Sequence, residues 1–174
     1  MNKGLVYVFT GDGKGKTSAA LGMAVRAVCA GLKVAWISWY KGNSWPISEK
    51  KLPRFLEIDM YFLGKGFYIS RKNSALKSEH KEAALTALRK ANQILKAGQY
   101  DLLVCDEINN LVKDGLLTIG EIKEMVKARG KTHLVMTGRN APKEIIKPAD
   151  LITEMKKIKH PYDQARLAVK GLDL

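Results

Sequence analysis

Apolar positions along this chain alternate between two periods. Short continuous runs at Leu5 to Phe9, Lys33 to Trp39, Leu102 to Cys105 and Thr132 to Thr137 have the length and composition of strands covered on both faces. Between them, apolar residues recur every three or four places. Ala19, Leu21, Ala24, Val25 and Val28 predict a helix that starts near Ser18 and stops at Gly31. Leu85, Leu88, Ala91 and Leu95 predict a longer one from Ser78 to Ala97, ended by Gly98. Thr118 and Glu121 have capping-box spacing and open a helix that stops near Gly130. Asn140 and Pro142 mark a further helix start, and Leu151 to Thr153 reads as a short last strand. Residues 43–75, with Pro46, Pro53, Gly64 and Gly66, read as irregular around one short apolar segment from Ile58 to Leu63.

Strands separated by helices require right-handed crossovers. They predict an α/β fold of three layers, with a mainly parallel sheet and helices on both faces. The expectation is one domain over residues 1–174. Ligands of such sheets bind beyond the carboxyl ends of the strands. Three polar segments follow strands and are expected to share that rim: Thr10 to Thr17, Asp106-Glu107, and Thr137-Gly138-Arg139.

The first segment, Thr10-Gly11-Asp12-Gly13-Lys14-Gly15-Lys16-Thr17, is a glycine-rich turn between a strand and a helix. Glycines at 11, 13 and 15 permit a backbone whose N–H groups face an anion. The helix start adds partial positive charge, Lys16 adds a full one, and the Thr17 hydroxyl stands where P-loops hold Mg²⁺. This makes the fold P-loop NTPase-like, of the RecA-like kind. The usual GxxxxGK[ST] pattern has glycine first, and here that place is Thr10. Asp106 and Glu107 end an apolar strand downstream, the Walker B arrangement, where a carboxylate reaches Mg²⁺ directly or through water. Arg139 is placed to clamp a phosphate or to pair on the surface, and Asn109 to cap a helix or serve the site. Gly64-Lys65-Gly66-Phe67-Tyr68 carries two aromatics on a flexible segment, suited to a flat ligand or to a satellite core.

Composition narrows the field. The 174 residues are 46% hydrophobic and 27% charged, ordinary for a folded domain. The net charge of +13 is spread along the chain without an arm or stripe. It therefore predicts attraction for polyanionic small molecules rather than a nucleic-acid partner. No apolar stretch is long enough to span a bilayer, and the first residues lack a signal peptide's pattern, so no membrane partner is expected. Cys29 and Cys105 sit in apolar patterns and read as reduced, buried thiols, which points to the cytoplasm. His80, His133 and His160 lack ligand spacing, which argues against a metal cage or a Cys–His nucleophile.

Taken in succession, the motifs resemble the P-loop corrinoid adenosyltransferase family, from Val6 nearly to Gly171. The resemblance rests on TGDGKGKT at 10–17, YKG at 40–42, GKGF at 64–67, YDLLVCDEIN at 100–109, TGRNAP at 137–142, ADLITEM at 149–155 and KHPY at 159–162. Threonine at the first P-loop place is the family's usual form. The resemblance implies transfer of adenosyl from ATP to the cobalt of a reduced corrinoid, with release of triphosphate. It implies that Gly11, Asp12, Gly13, Lys14, Gly15, Lys16, Thr17, Ser18 and Asn109 bind the nucleotide. Thr17 and Glu107 would position Mg²⁺, with Mn²⁺ as the alternative. Lys16, Lys41, Glu107 and Arg139 would serve the chemistry, and Phe67 and Tyr68 would face the corrinoid. ATP would lie reversed along the loop, its ribose 5′ carbon toward the corrinoid. A reductant or flavoprotein that reduces cobalt, and a homodimer, are the implied partners.

Three departures from the family stand out. Ile69 occupies a place where tryptophan is frequent, and Asp12 puts a negative charge where asparagine is common. The first strand starts by Leu5, leaving no N-terminal lid and pointing to a more open site or a cobalamin precursor as substrate. Competing readings are a nucleoside kinase or other NTPase, which would yield ADP, and a non-catalytic carrier of ATP or corrinoid. A basic nucleic-acid binder is a fourth, whose binding would weaken steeply with salt.

Overall fold

In the computed structural model, residues 3–44, 46–66 and 74–172 are described. Six strands form one sheet: β1 (Val6–Thr10), β2 (Val34–Ser38), β3 (Ile58–Phe62), β4 (Leu102–Asp106), β5 (His133–Thr137) and β6 (Leu151–Glu154). Their spatial order is β3-β2-β4-β5-β1-β6, and every pairing between them is parallel. The three-layer α/β expectation therefore holds, and all six carboxyl ends lie on one rim.

Period-two alternation divides the strands between two cores. Val6, Val8, Ala35, Ile37, Leu103, Cys105, Leu134 and Met136 face one layer. That layer holds α2 (Ser74–Ala97), α3 (Asn110–Lys113), α4 (Ile119–Lys127) and α5 (Lys143–Ile146). Phe9, Val34, Trp36, Leu102, Val104 and Val135 face α1 (Lys16–Cys29). The buried stripe of α1 is Ala20, Ala24 and Ala27, with Leu21 and Val28 only partly covered and Val25 also half-buried. Small side chains thus occupy the line of contact with the sheet, flanked by Ala19, Leu21 and Val28 of the expected face. Cys29, the last residue of this helix, is exposed, so the expectation of two buried thiols fails for it. Two residues beyond Ala27, it is rotated about 200° away from that stripe. Cys105 is buried, and burial pushes its thiol well up from the ordinary range.

Several boundaries move. α1 begins at Lys16 and α2 at Ser74, earlier than the periodicity indicates, because neither first turn carries apolar residues in register. The stretch read as irregular holds a 3₁₀ helix, Ser48–Arg54, and then β3 on the sheet edge. Of β3 only Ile58 is buried, which explains why its alternation is faint. The Thr118 capping box is complete: its hydroxyl accepts from the Glu121 N–H at 3.2 Å, and the Glu121 carboxylate accepts from the Thr118 N–H at 2.7 Å. The Thr118 N–H, and the Thr118 hydroxyl donating to the same carboxylate at 2.8 Å, hold the Glu121 carboxyl below its ordinary range. After β6 the chain is exposed apart from half-buried Met155 and His160, and turns through a 3₁₀ segment, Pro161–Gln164, where His160 Nδ1 accepts from the Tyr162 N–H at 3.1 Å.

Candidate functional site

Polar residues are buried at the carboxyl ends of four otherwise apolar strands: Thr10 on β1, Ser38 on β2, Asp106 on β4 and Thr137 on β5. Two of them, Ser38 and Thr137, converge on the Asp106 carboxylate together with Thr17 and Lys41. Asp106 is 0% exposed; its Oδ1 accepts from the Thr17 hydroxyl at 3.0 Å and the Thr137 hydroxyl at 2.9 Å. Its Oδ2 accepts from the Ser38 hydroxyl at 3.3 Å and lies 3.2 Å from the Lys41 ammonium. A carboxylate has about four acceptor positions, so Asp106 is saturated by this shell. Trp36 Nε1 donates to Ser38 Oγ at 2.9 Å and orients that hydroxyl from behind. Lys41 also pairs with Glu49 of the first 3₁₀ helix at 2.9 Å. Burial alone would lower the Lys41 pKa, but the Asp106 and Glu49 carboxylates outweigh it and hold the ammonium above its usual range.

The glycine-rich turn closes over this hub. Lys16 donates to the Gly13 carbonyl at 2.6 Å and the Gly11 carbonyl at 2.9 Å, which centres its ammonium inside the loop. Burial pulls the Lys16 pKa down, Glu107 opposes that, and Arg139 adds to it. The turn is pinned from outside by the strand end of β6: Met155 N donates to Thr10 O at 2.8 Å, and Gly13 N donates to Met155 O at 2.7 Å. A Cβ on Gly11 would fall 2.3 Å from Met155 O, and one on Gly13 2.7 Å from the same atom. These glycines therefore admit a neighbouring chain as well as an anion. Thr10 accepts from the Ala141 N–H through its hydroxyl at 3.1 Å, tying β1 to the loop after β5. That bond is what threonine contributes where the general pattern has glycine. The Asp12 carboxylate accepts from the Lys157 N–H at 3.2 Å, and this bond, with the charges of Lys157 and Arg139, holds it low. The negative charge in the loop is thereby offset.

Glu107 sits beside the hub with φ +67°, a left-handed conformation that costs a residue with a side chain about 1–3 kcal/mol. Two bonds hold it there: its N–H donates to Thr137 Oγ1 at 2.9 Å, and its carboxylate accepts from Asn110 Nδ2. Burial and the Asp106 charge raise its pKa, against the pull of Lys41, Asn110 and Lys16. Asn110 also accepts, through Oδ1, from the Arg139 N–H at 2.6 Å. A Cβ on Gly138 would stand 2.9 Å from that oxygen, so glycine is needed for the bracket to close.

One cleft of about 890 Å³ gathers Asp12, Gly13, Lys14, Gly15, Lys16, Thr17, Ser18, Lys41, Glu107 and Arg139 along its wall. Gly11 lies just outside, on an adjoining 630 Å³ cavity that Asp12 and Arg139 also line. Asn109 is not brought to the wall. It is 1% exposed, caps no helix with its side chain, and its amide has no hydrogen-bond partner. The asparagines that reach the cleft are Asn110 and Asn140. Phe67, Tyr68 and Ile69 lie outside the described residues. The roles of Ser38, Glu49, Asn110 and Met155 escape sequence reading. Ser38 alone leaves a trace there, as a polar residue closing an apolar strand.

A lysine-bearing glycine turn after β1, a buried aspartate after β4 and a wholly parallel sheet define a P-loop nucleotide-binding protein of the RecA-like class. The fold matches that of a KaiC-like protein from Pyrococcus horikoshii, with a TM-score of 0.51 at 14% identity, over 90% of this chain and 74% of that one. Relatives are closer in sequence. Corrinoid adenosyltransferases of Pseudomonas aeruginosa and of a Sinorhizobium species are 34% and 33% identical. Each alignment covers 98% of this chain, and 84% and 80% of the respective relative. The corrinoid adenosyltransferase CobA of Salmonella typhimurium is 31% identical over 98% of this chain and 86% of its own length. The profile of the ATP:corrinoid adenosyltransferase family BtuR/CobO/CobP matches residues 2–174. The chain belongs to that family.

Proposed function

We propose that this protein transfers the 5′-deoxyadenosyl group of ATP to the cobalt of a reduced corrinoid and releases inorganic triphosphate. The observation that supports this most is the cleft itself. The P-loop, Lys41, Glu107 and Arg139 line it together, a set of cations and oxygen donors suited to a polyphosphate and its metal ion, while Cys105 lies buried in the sheet. Such a site suits a reaction whose nucleophile is supplied by the substrate. Cobalt(I) donates an electron pair that becomes the cobalt–carbon bond, the bond from the 5′ carbon to oxygen breaks, and the triphosphate leaves with the pair of that broken bond. No proton need move.

The protein then has two tasks, alignment and stabilisation of charge on the leaving group. In this reading the loop residues Gly11 to Ser18 hold the triphosphate, with Lys16, Lys41 and Arg139 as its cationic contacts. Mg²⁺, or Mn²⁺ in its place, fits the donor set, which is hard oxygen throughout. The Thr17 hydroxyl donates to Asp106 and keeps lone pairs for a cation, and the Glu107 carboxylate has spare acceptor positions, whereas Asp106 has none. When bound, the cation would neutralise phosphate charge; Thr17 and Glu107 would hold it. Phe67 and Tyr68 are assigned to the corrinoid, and Asn109 to supporting the loop that carries Asn110.

The remaining assignments follow the same reading: a single domain acting in the cytoplasm as a homodimer, with a reductant or flavoprotein supplying cobalt(I). Both cysteines are unpaired, as a reducing compartment favours. Among the described residues no helix is long and apolar enough to cross a membrane. The test is anaerobic incubation with MgATP and chemically reduced cobalamin, following the absorbance of cobalt–carbon bond formation. Alkylation by the wild type and its loss in Lys16→Ala are expected. Absence of alkylation, or full activity in that variant, overturns the assignment.

A further inference from the structure

The cleft is chemically two-ended, and the mechanism uses only one end. Besides the P-loop and its charged partners it is lined by Leu21 of α1 and by Ile47, Leu52 and Phe55 on and around the first 3₁₀ helix. Phe55 is 77% exposed, although the residues beside it are well anchored. Its own N–H and that of Leu56 both donate to Leu52 O at 2.9 Å, and Leu56 packs into the core beneath α1. The other end of the helix is tied to the site by Glu49 on Lys41 at 2.9 Å and by Lys50, which donates to the Gly42 carbonyl at 2.8 Å. A large aromatic ring is thus held at a set position with its face left to the cleft. Exposing a phenylalanine on a short, doubly anchored segment costs hydrophobic burial and is expected where a ligand covers it.

Resting on the nucleotide reading above, we infer that Phe55, with Leu21, Ile47 and Leu52, is the seat of the nucleobase. A nucleoside triphosphate has the same two ends as the cleft, a polyanion and a flat, largely apolar heterocycle. A volume of about 890 Å³ lies within the range of pockets that enclose a ligand of nucleotide size. The apolar end is continuous with the phosphate end. A corrinoid macrocycle does not fit inside such a space together with a nucleotide, which favours the base as occupant. Stacking on an aromatic face tolerates different bases, so this wall supplies affinity more than base choice.

Binding of ATP and of inorganic tripolyphosphate, both with Mg²⁺, should be measured by calorimetry for wild type, Phe55→Ala and Phe55→Trp. Phe55 is exposed and holds no part of the core, so these variants keep the fold. Phe55→Ala should weaken ATP by roughly 5- to 100-fold, the value of one base–aromatic stack. Tripolyphosphate should bind within twofold of wild type, and Phe55→Trp should keep ATP affinity. Unchanged ATP affinity in Phe55→Ala, equal loss for both ligands, or a rise in corrinoid KM alone overturns the inference while leaving the phosphate cradle intact. If wild type binds neither ligand, the nucleotide reading falls with it.

Discussion

Asp106 organises the site without being free to touch a ligand. Its four contacts come from α1, β2, β5 and the segment after β2, so one buried carboxylate sets the relative positions of the loop threonine and the two strand ends. Removing it leaves the Lys41 ammonium to Glu49 alone and three hydroxyls without their acceptor: Asp106→Ala should lose about 1–3 kcal/mol of stability, read from urea midpoints. Lys16→Ala should instead leave stability nearly unchanged and lower kcat by roughly 10²–10³-fold, the cost of one preorganised donor to a leaving group. Glu107 gives a pH signature. Its folded pKa is raised, so the folded state holds that proton more tightly than the unfolded chain. Its ionised form therefore costs stability above the raised value, and the cost is relieved as pH falls from there toward the ordinary carboxylate pKa. Over the same descent Mg²⁺ dependence should fade. Glu107→Gln should be more stable than wild type at neutral pH, and its stability curve should lose this acid-side slope; an unchanged curve would remove Glu107 from this account.

At the scale of elements, much of the arrangement is legible in local pattern. The glycine turn, the apolar run into Asp106 and the capping box at Thr118 each announce themselves because their physics is confined to a few neighbouring residues. Thr118→Ala should cost about 1 kcal/mol, near 2–4 °C in Tm for a chain of this size, with kcat unaffected. What escapes reading depends on contacts across the sequence. The grip of Met155 on Gly13 joins residues 142 places apart, and nothing local marks it. The buried face of α1 is legible only in part: Ala24 is buried and Ala19, Leu21 and Val28 pack on the same core, but Ala20 and Ala27, which weigh little in a hydrophobic pattern, escape. The edge strand β3 hides because only one of its five residues is buried. Gly138→Ala tests the long-range kind: with φ +129° and Asn110 Oδ1 only 2.9 Å from a new Cβ, it should weaken MgATP binding as the Asn110 bracket opens.

For the molecule as a whole, a parallel sheet brings the carboxyl ends of β1, β2, β4 and β5 together, and the site is what those ends carry. The cleft gathers the cations and oxygen donors of a polyphosphate site, and in the proposed reaction the substrate provides the electron pair. Net charge of +13 then serves a polyanionic donor. In the proposed assignment Phe67 serves the second substrate: Phe67→Ala should slow transfer to cob(II)alamin under a reductant more than to prereduced cob(I)alamin. Equal losses in single-turnover assays would refute its part in cobalt geometry.

Which bond of ATP breaks decides the central claim. ATP carrying ¹⁸O at the 5′ oxygen, incubated with the enzyme and reduced corrinoid, should yield triphosphate that retains the label, since cobalt attacks carbon and the oxygen departs with phosphorus. Label left on a nucleoside product, or appearing in ADP, would mean cleavage at phosphorus and would contradict the account.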